Sequence, residues 1–445
     1  MDEGGLDGQL VSAVRAGEAG SVRSLLREGA DPDAADADGL PVLCAAVAAY
    51  DGPVAEALVE GGADPDRPLP DGTTPLWRAV DGGSPAVVSA VLGYEPRMRL
   101  SEAARERLLA LARDWYETGA AEELRRRTRA PGPAAVVCVQ DDYLYDHVDQ
   151  VSLGGLVVRA GHGAVLTLLE WAFRILAPVD ELVARCVERP DEDHVNWSAV
   201  HHVLAQRRSN ETWSALVALR RHPDPVHRRV LARYLWTRAI LCYGPDHYAK
   251  KESELLAAWA VEETDAGALA QVLDAFNEHE HADQEAIVLR YVDHPAPRVR
   301  SQVPDGLHAH DVPHAPAARA ALLTLAQDPV AGVRKSACTV LGTGNAATPE
   351  TTRALLSLAQ DPDAGVRAAA AVALAASGDP APAVADALVA LLDEDDQLVR
   401  LDAAFGLARR DDPRTEEAIE RVGPLGPGFE HDHRASALWT WSLRK

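Results

Sequence analysis

The chain has 445 residues, 47% of them hydrophobic and 25% charged, proportions that suit a folded protein and exclude wholesale disorder. Aromatic residues make up only 5%, and Ala, Leu and Val dominate the apolar total, which favours closely packed helices. The formal charge of −24, from 44 Lys and Arg against 68 Asp and Glu, argues against nucleic acid as a partner, because neutralising phosphates requires clustered cations.

The cations are nearly all Arg, with Lys at 250, 251, 335 and 445 alone, as GC-rich coding produces. Five cysteines, Cys44, Cys138, Cys186, Cys242 and Cys338, are odd in number, far apart and free of any C-x-x-C pair, so a reducing, cytoplasmic location is expected. The acidic start, Met1 to Gly5, does not read as a secretory signal. The longest apolar run, Ala164 to Pro178, is broken by Glu170 and Arg174 and is too short to span a bilayer, so no membrane association is expected.

In chain order, repeats come first. Gly29-Ala30-Asp31-Pro32-Asp33 recurs as Gly62-Ala63-Asp64-Pro65-Asp66, and Asp38-Gly39 recurs as Asp71-Gly72, at one common spacing of 33 residues. Leu10, Leu43 and Leu76 keep that spacing, as do Ala13, Ala46 and Ala79, then Leu25, Leu58 and Val91, so three helix pairs are predicted. Asp71-Gly72-Thr73-Thr74-Pro75-Leu76 resembles the D-G-x-T-P-L turn of the ankyrin repeat family, over roughly residues 7–93. The His that this family carries after T-P-L is replaced by Trp77, and by Cys44 in the preceding unit. The resemblance implies a concave binding face formed by Asp36, Asp38, Asp71, Trp77 and Arg78. The competing reading has Trp77 filling the core between repeats while the aspartates only make turns.

Ser101 opens a Pro-free helical stretch through Arg127, expected to cap the first array over residues 101–128, with Arg125 to Arg127 as solvated charges at a helix end. Ala130-Pro131-Gly132-Pro133 marks a boundary. Residues 134–211 show no repeat and read as a divergent helical region. Within it, Ala135 to Val139 fits either a short strand or a buried helix, and Gly154-Gly155 and Gly161-His162-Gly163 lack a phosphate-loop pattern and read as helix punctuation. Trp171, Trp197, Trp213, Trp236 and Trp259 sit among Leu, Val and Ala and read as core.

A second series is clearest from residue 293 onward. Asp328-Pro329 precedes Val333-Arg334, Asp361-Pro362 precedes Val366-Arg367, and Asp393 precedes Val399-Arg400, again 33 residues apart. Asp293-His294-Pro295 with Val299-Arg300 is an earlier member, and His222-Pro223 with Val226 a more degenerate one. Ala337, Ala370 and Ala403 recur in register, as do Leu341, Leu374 and Leu407, and Leu322, Leu355 and Leu388. These units resemble HEAT repeats, particularly the short form of phycobilisome-lyase-like proteins, over roughly residues 212–422, with residues 423–445 as a terminal cap helix. The resemblance implies that Arg300, Arg334, Arg367 and Arg400 bond across adjacent repeats as a structural ladder.

The fold class expected is all-α, as tandem right-handed α-solenoids. His279, Glu280, His281, His308, His310 and His314 supply metal-ligand types in one region, with a loose resemblance to HEAT-repeat di-iron hydroxylases, although the second His-Glu pair of that family is missing. A likeness to HEAT-like DNA glycosylases is opposed by the net charge, and no G-x-S-x-G, H-E-x-x-H or local Cys-nucleophile signature is present. No catalytic residue and no cofactor is expected. The reading is a non-catalytic scaffold that binds a protein or peptide, a basic one given the charge. The alternatives are a metal-dependent enzyme or sensor centred on His279 to His314, and a lyase-like chaperone for a cofactor-bearing client.

Overall fold

The computed structural model describes residues 5–36, 39–142, 146–241, 248–308, 315–343, 348–426, 429 and 432–443. The protein is mostly α-helical and divides into two compact units, Met1–Thr237 and Arg238–Lys445.

Three helix pairs open the first unit: Leu6–Ala16 (α1) with Ala19–Arg27 (α2), Val42–Ala48 (α3) with Gly52–Glu60 (α4), and Pro75–Gly82 (α5) with Pro85–Leu92 (α6). The apolar positions spaced by 33 residues lie together inside, with Leu10, Leu43 and Leu76 sharing one core with Ala13, Ala46, Ala79, Leu58 and Val91. Helix starts are set locally. Asp51, Thr74 and Ser84 each accept a first-turn amide, and a proline occupies the first helical turn of α4, α5 and α6.

A short turn of helix, Pro96–Arg99 (α7), leads to Glu102–Thr118 (α8) and Ala120–Thr128 (α9). The helical stretch from Ser101 is two helices, divided at Gly119, whose φ of 80° no helix interior adopts. Arg127 is more than a solvated charge. Its guanidinium bonds Asp81 and Glu123, at 2.9 and 2.8 Å, and lies over the Trp115 ring.

The expectation of an all-α chain needs one correction. Ala135–Gln140 (β1), His147–Leu153 (β2) and Leu156–Arg159 (β3) form a three-stranded antiparallel sheet in the order β1-β2-β3. Gly154 and Gly155, read from sequence as helix punctuation, are the two-residue turn between β2 and β3. Both have positive φ, 59° and 85°, as a tight hairpin of this length demands. One face of the sheet, through Val151, Leu153 and Val158, packs on Trp115 and Leu124 of α8 and α9, while Val148 on the other packs on Val195 and Ala199.

Asp141, just past β1, joins the sheet to the last ankyrin-type pair. Its carboxylate accepts the Ser84 hydroxyl at 2.7 Å and the Ala86 amide at 2.9 Å, at the start of α6, and pairs with Arg159 at 2.7 Å. An anion held there complements the positive end of the helix. Tyr50 adds to the joint by donating its hydroxyl to the carbonyls of Gly82 and Val157, under the Arg159 guanidinium.

The helices that follow are His162–Ala172 (α10), Val179–Val187 (α11), Val195–Gln206 (α12), Asn210–Ala218 (α13) and Pro225–Leu241 (α14). Trp197, Trp213 and Trp259 are buried as core, whereas Trp171 and Trp236 are half-buried with an arginine over each ring.

The second unit contains Ala249–Glu262 (α15), Ala266–Asn277 (α16), Gln284–Val288 (α17), Pro297–Arg300 (α18) and Val303–Gly306 (α19). Three regular pairs follow: Pro316–Leu325 (α20) with Ala331–Thr343 (α21), Pro349–Leu358 (α22) with Ala364–Ala376 (α23), and Pro382–Leu391 (α24) with Gln397–Ala408 (α25). Thr415–Val422 (α26) and His433–Ser442 (α27) come last. All the in-register Val, Ala and Leu positions of this series are buried. Second helices of successive pairs touch through small residues: a Cβ on Gly342 would sit 2.5 Å from that of Ala373, and one on Gly406 would meet Ala375.

Each Val-Arg arginine closes its own loop and reaches into the next. Arg334 donates to the carbonyls of Asp328 and Pro329 with one nitrogen, at 2.8 and 3.2 Å, and forks onto both carboxylate oxygens of Asp361 at 2.7 Å with the other two. Arg300 does the same with His294, Pro295 and Asp328, and Arg367 with Asp361, Pro362 and Glu394. Arg400 keeps the loop bonds, to Glu394 and Asp395, and ends the series on the Arg421 carbonyl. In the first unit Arg228 bonds the carbonyls of His222 and Pro223 in the Arg300 manner. The degenerate member read through Val226 is therefore carried by His227-Arg228 instead.

Arg334 bonded to Asp361, and Arg367 bonded to Glu394, hold those carboxyls below the ordinary carboxylate range. Replacing Arg334 by Ala removes a bidentate pair and two carbonyl bonds, and is expected to cost about 2 kcal/mol in urea unfolding of the second unit, with Arg334→Lys intermediate. Because the folded-state values are depressed, this contribution is fully present above the unfolded carboxylate value, about 4, and is lost as pH falls through the lower folded value. The gap between wild type and Arg334→Ala should shrink on acidification below that point. A gap that stays constant would contradict the assignment.

Candidate functional site

In the ankyrin-type turns the aspartates form a carboxylate-to-amide ladder. The first Asp of each Asp-Pro-Asp accepts the amide two residues on, Asp33 to Asp31 at 3.0 Å and Asp66 to Asp64 at 2.9 Å. The neighbouring unit supplies the other bond: Asp7 accepts the Asp31 amide at 2.8 Å, and Asp33 accepts the Asp64 amide at 3.0 Å. Asp66 continues the series by pairing with Arg99.

Four of the five residues expected on the concave face are described, and Asp38 lies outside the described residues. Asp36 accepts the Leu40 amide at 3.0 Å within its own turn. Asp71 accepts both the amide and the hydroxyl of Thr73, which with Arg78 at 2.9 Å hold its carboxyl down to about 2. Arg78 also donates to the Thr73 hydroxyl, so Asp71, Thr73 and Arg78 make one closed, partly exposed group. Trp77 does not stand free beside them, because its ring packs against the ankyrin core. The Cys44 thiol is pushed up by burial, an effect Arg78 opposes.

In the second unit a cavity of about 610 Å³ gathers three of the residues singled out for metal chemistry, His279, Glu280 and His281, between the start of α15 and the loop after α16. Its floor is charged and buried. Arg238 donates to Glu252 at 2.6 Å, the other Glu252 oxygen lies 3.4 Å from His279 Nε2, and the opposite nitrogen of that ring faces the Ala275 carbonyl at 2.8 Å. Ser253 donates to the Glu280 carbonyl. Among the described lining residues the rim carries exposed Glu254, Glu278 and Glu280 against one exposed cation, Lys250, which lies 3.8 Å from Glu254, a balance that suits a positively charged group.

Sequence reading missed Arg238, Glu252 and Ser253. The signal for one of them was present: Glu252 falls on the same helical stripe as Leu256 and Ala260, where an ordinary surface helix would bury an apolar residue.

His281, His294 and His308 are each bonded locally. His281 Nδ1 accepts the Asp283 amide, His294 Nδ1 accepts that of Ala296, and His308 meets the Thr343 hydroxyl at 3.3 Å. His310 and His314 lie outside the described residues. Among the described residues no group of three or more His, Cys, Asp or Glu side chains is arranged to hold a metal ion, and no helix is long and apolar enough to cross a membrane.

Arg238 and Glu252 are each about 95% removed from water, so breaking the pair strands a charge. Arg238→Ala is expected to destabilise the second unit by about 3 kcal/mol, and the apolar pair Arg238→Met with Glu252→Leu to recover most of that loss. Equal loss in the single and double variants would show that the floor depends on bonds other than this pair.

Residues 10–100 match the family model for ankyrin repeats in three copies, and residues 319–408 match that for HEAT repeats. No curated protein matches the chain. Among solved structures, that of YibA from E. coli is 13% identical, with a TM-score of 0.44 over 60% of this chain and 93% of that one. A Kap121p mutant is 11% identical with a TM-score of 0.35, over 98% of this chain and 54% of that one. The Pds5–Scc1 complex gives 12% and 0.28, over 99% and 70%. Likenesses this low assign nothing beyond themselves. The chain carries an N-terminal ankyrin-repeat domain and a C-terminal HEAT-repeat-like domain, two kinds of module that serve in general for protein interaction.

Proposed function

We propose that the chain is a non-catalytic scaffold that binds a basic protein or peptide on its repeat surfaces. The observation that carries this reading is where the charged motif residues go. The recurring arginines and aspartates are consumed inside the stacks, as the Arg300, Arg334 and Arg367 pairs and the Asp33 to Asp64 bond illustrate. What remains for a partner is a surface dominated by carboxylates, on a chain of net charge −24.

Two places favour a cation. One is the exposed edge of the Asp71–Arg78 group, where Asp71 is half-exposed. The other is the cavity of the second unit, whose acidic rim would receive a lysine or arginine side chain above the neutralised Arg238–Glu252 floor. A site that reads charge at its rim gains on-rate and specificity more than raw affinity.

Affinity capture with the full chain, followed by mass spectrometry, should recover protein rather than nucleic acid. Binding of the recovered partner, or of its basic segment as a peptide, should weaken as salt is raised. Glu278→Lys with Glu280→Lys should lower affinity by about tenfold, mainly through association rate, with no change in melting temperature. Affinity indifferent to salt and to both substitutions would sink the electrostatic part of this reading.

A further inference from the structure

The two edges of the three-stranded sheet are treated differently. Register fixes which backbone groups point outward. The Asp141 amide donates to the Asp146 carbonyl at 2.8 Å and the Ala160 amide to Asp149 at 2.8 Å, so odd-numbered residues of β1 bond β2, while Val136, Cys138 and Gln140 turn their N–H and C=O groups away from the sheet. On β3 the outward carbonyl of Val157 is met by the Tyr50 hydroxyl. On β1 no group among the described residues meets the outward row.

Apart from Val139, which packs against the Val148 cluster, strand β1 is also exposed on both faces. Val136 and Val137, on opposite sides, are 55% and 59% exposed, and Ala135, Cys138 and Gln140 are exposed beside them. Proteins ordinarily blunt such an edge with a charge or an inward-pointing polar group. Here residues 130–140, APGPAAVVCVQ, carry no charge at all in a chain that is 25% charged. The nearest carboxylate, Asp141, is already paired with Arg159.

We propose that β1 is a self-association edge, pairing antiparallel with β1 of a second copy to make a continuous six-stranded sheet. The unmet N–H and C=O row selects an extended strand over a helix or a small ligand. The absence of charge selects a copy of the same strand. A charged peptide would find nothing on β1 to read, whereas two copies meet without setting like charges opposite one another despite the net charge of −24. The outward residues restrict the register to even-with-even pairs. The centred one places Cys138 opposite Cys138 of the second copy, Val136 opposite Gln140, and Val137 opposite Val139, so each exposed valine gains an uncharged neighbour. One six-residue strand covers far less than the roughly 800 Å² per partner of a stable dimer, so the association is weak and concentration-dependent.

Sedimentation velocity of the full chain from about 10 to about 300 µM should show the weight-average mass rising toward twofold, as expected for an interface below the standard size. In a Cys242→Ser background a short bismaleimide should link two copies through Cys138. Cys44, Cys186 and Cys338 are buried and should not compete. Val136→Pro removes an outward N–H without touching the β1–β2 ladder and should weaken association at least about tenfold, with unchanged circular dichroism and melting. Cys138→Glu, at an exposed position, should do the same by placing two carboxylates face to face. A chain that stays monomeric across the range overturns the proposal, as does a dimer undiminished in both variants and not linked through Cys138.

Discussion

A guanidinium that forks onto the carboxylate of the following repeat organises the HEAT-type half of this protein. Arg300, Arg334 and Arg367 each fasten their own Asp-Pro or His-Pro loop through two carbonyls and reach an acidic residue 27 or 28 positions ahead. A helix pair alone cannot bury its apolar face, so every repeat depends on the fit of the next. The Val beside each Arg is buried, which places the guanidinium at the seam between repeats. Since the acceptors are themselves loop residues, as Asp328 and Asp361 are, each link also fixes the turn from which the next arginine starts. Gly342 and Gly406 then let the second helices approach closely enough for the links to close.

The ankyrin-type half solves the same problem with different atoms. There the second Asp of the first Asp-Pro-Asp, Asp33, accepts a backbone amide of the next unit and has Arg67 only at 4.0 Å, while Asp66 pairs directly with Arg99. Asp141 extends that logic beyond the repeats by capping α6 from the sheet. In both halves most of the recurring charge is spent on stacking, which leaves the exposed edge of Asp71 and the carboxylates outside the motifs as the places open to a partner.

How much of this was legible follows from the kind of constraint involved. Repeats declare themselves, because identical stacking requires identical residues at a fixed spacing, and the helix pairs and most of their buried Leu and Ala positions followed from that, while the Arg ladder was what the resemblance to HEAT repeats implied. The sheet did not, since Ala135 to Val139 lacks the alternation of a half-buried strand. Val136 and Val137, on opposite faces, are both exposed, so no period separates strand from helix. Gly154-Gly155 between Leu153 and Leu156 was the missed hairpin signal. Arg238, Glu252 and His279 come from three separate segments, and proximity of that kind is written in tertiary packing rather than in spacing. Trp77, standing where the ankyrin pattern has histidine, is half-buried against the core, a placement that the repeat spacing alone does not decide.

The repeats use up their recurring charges in the interior, and the chain, of net charge −24, keeps an excess of carboxylates for its surface. Hydrogen–deuterium exchange of the full chain, alone and saturated with a protein recovered by affinity capture, tests that separation most directly. The account predicts new protection at the Asp71–Arg78 turn and along the Glu278–Glu280 loop, with the loops closed by Arg334 and Arg367 equally protected in both states. Protection confined to those loops, or recovery of nucleic acid with no protein, would contradict it.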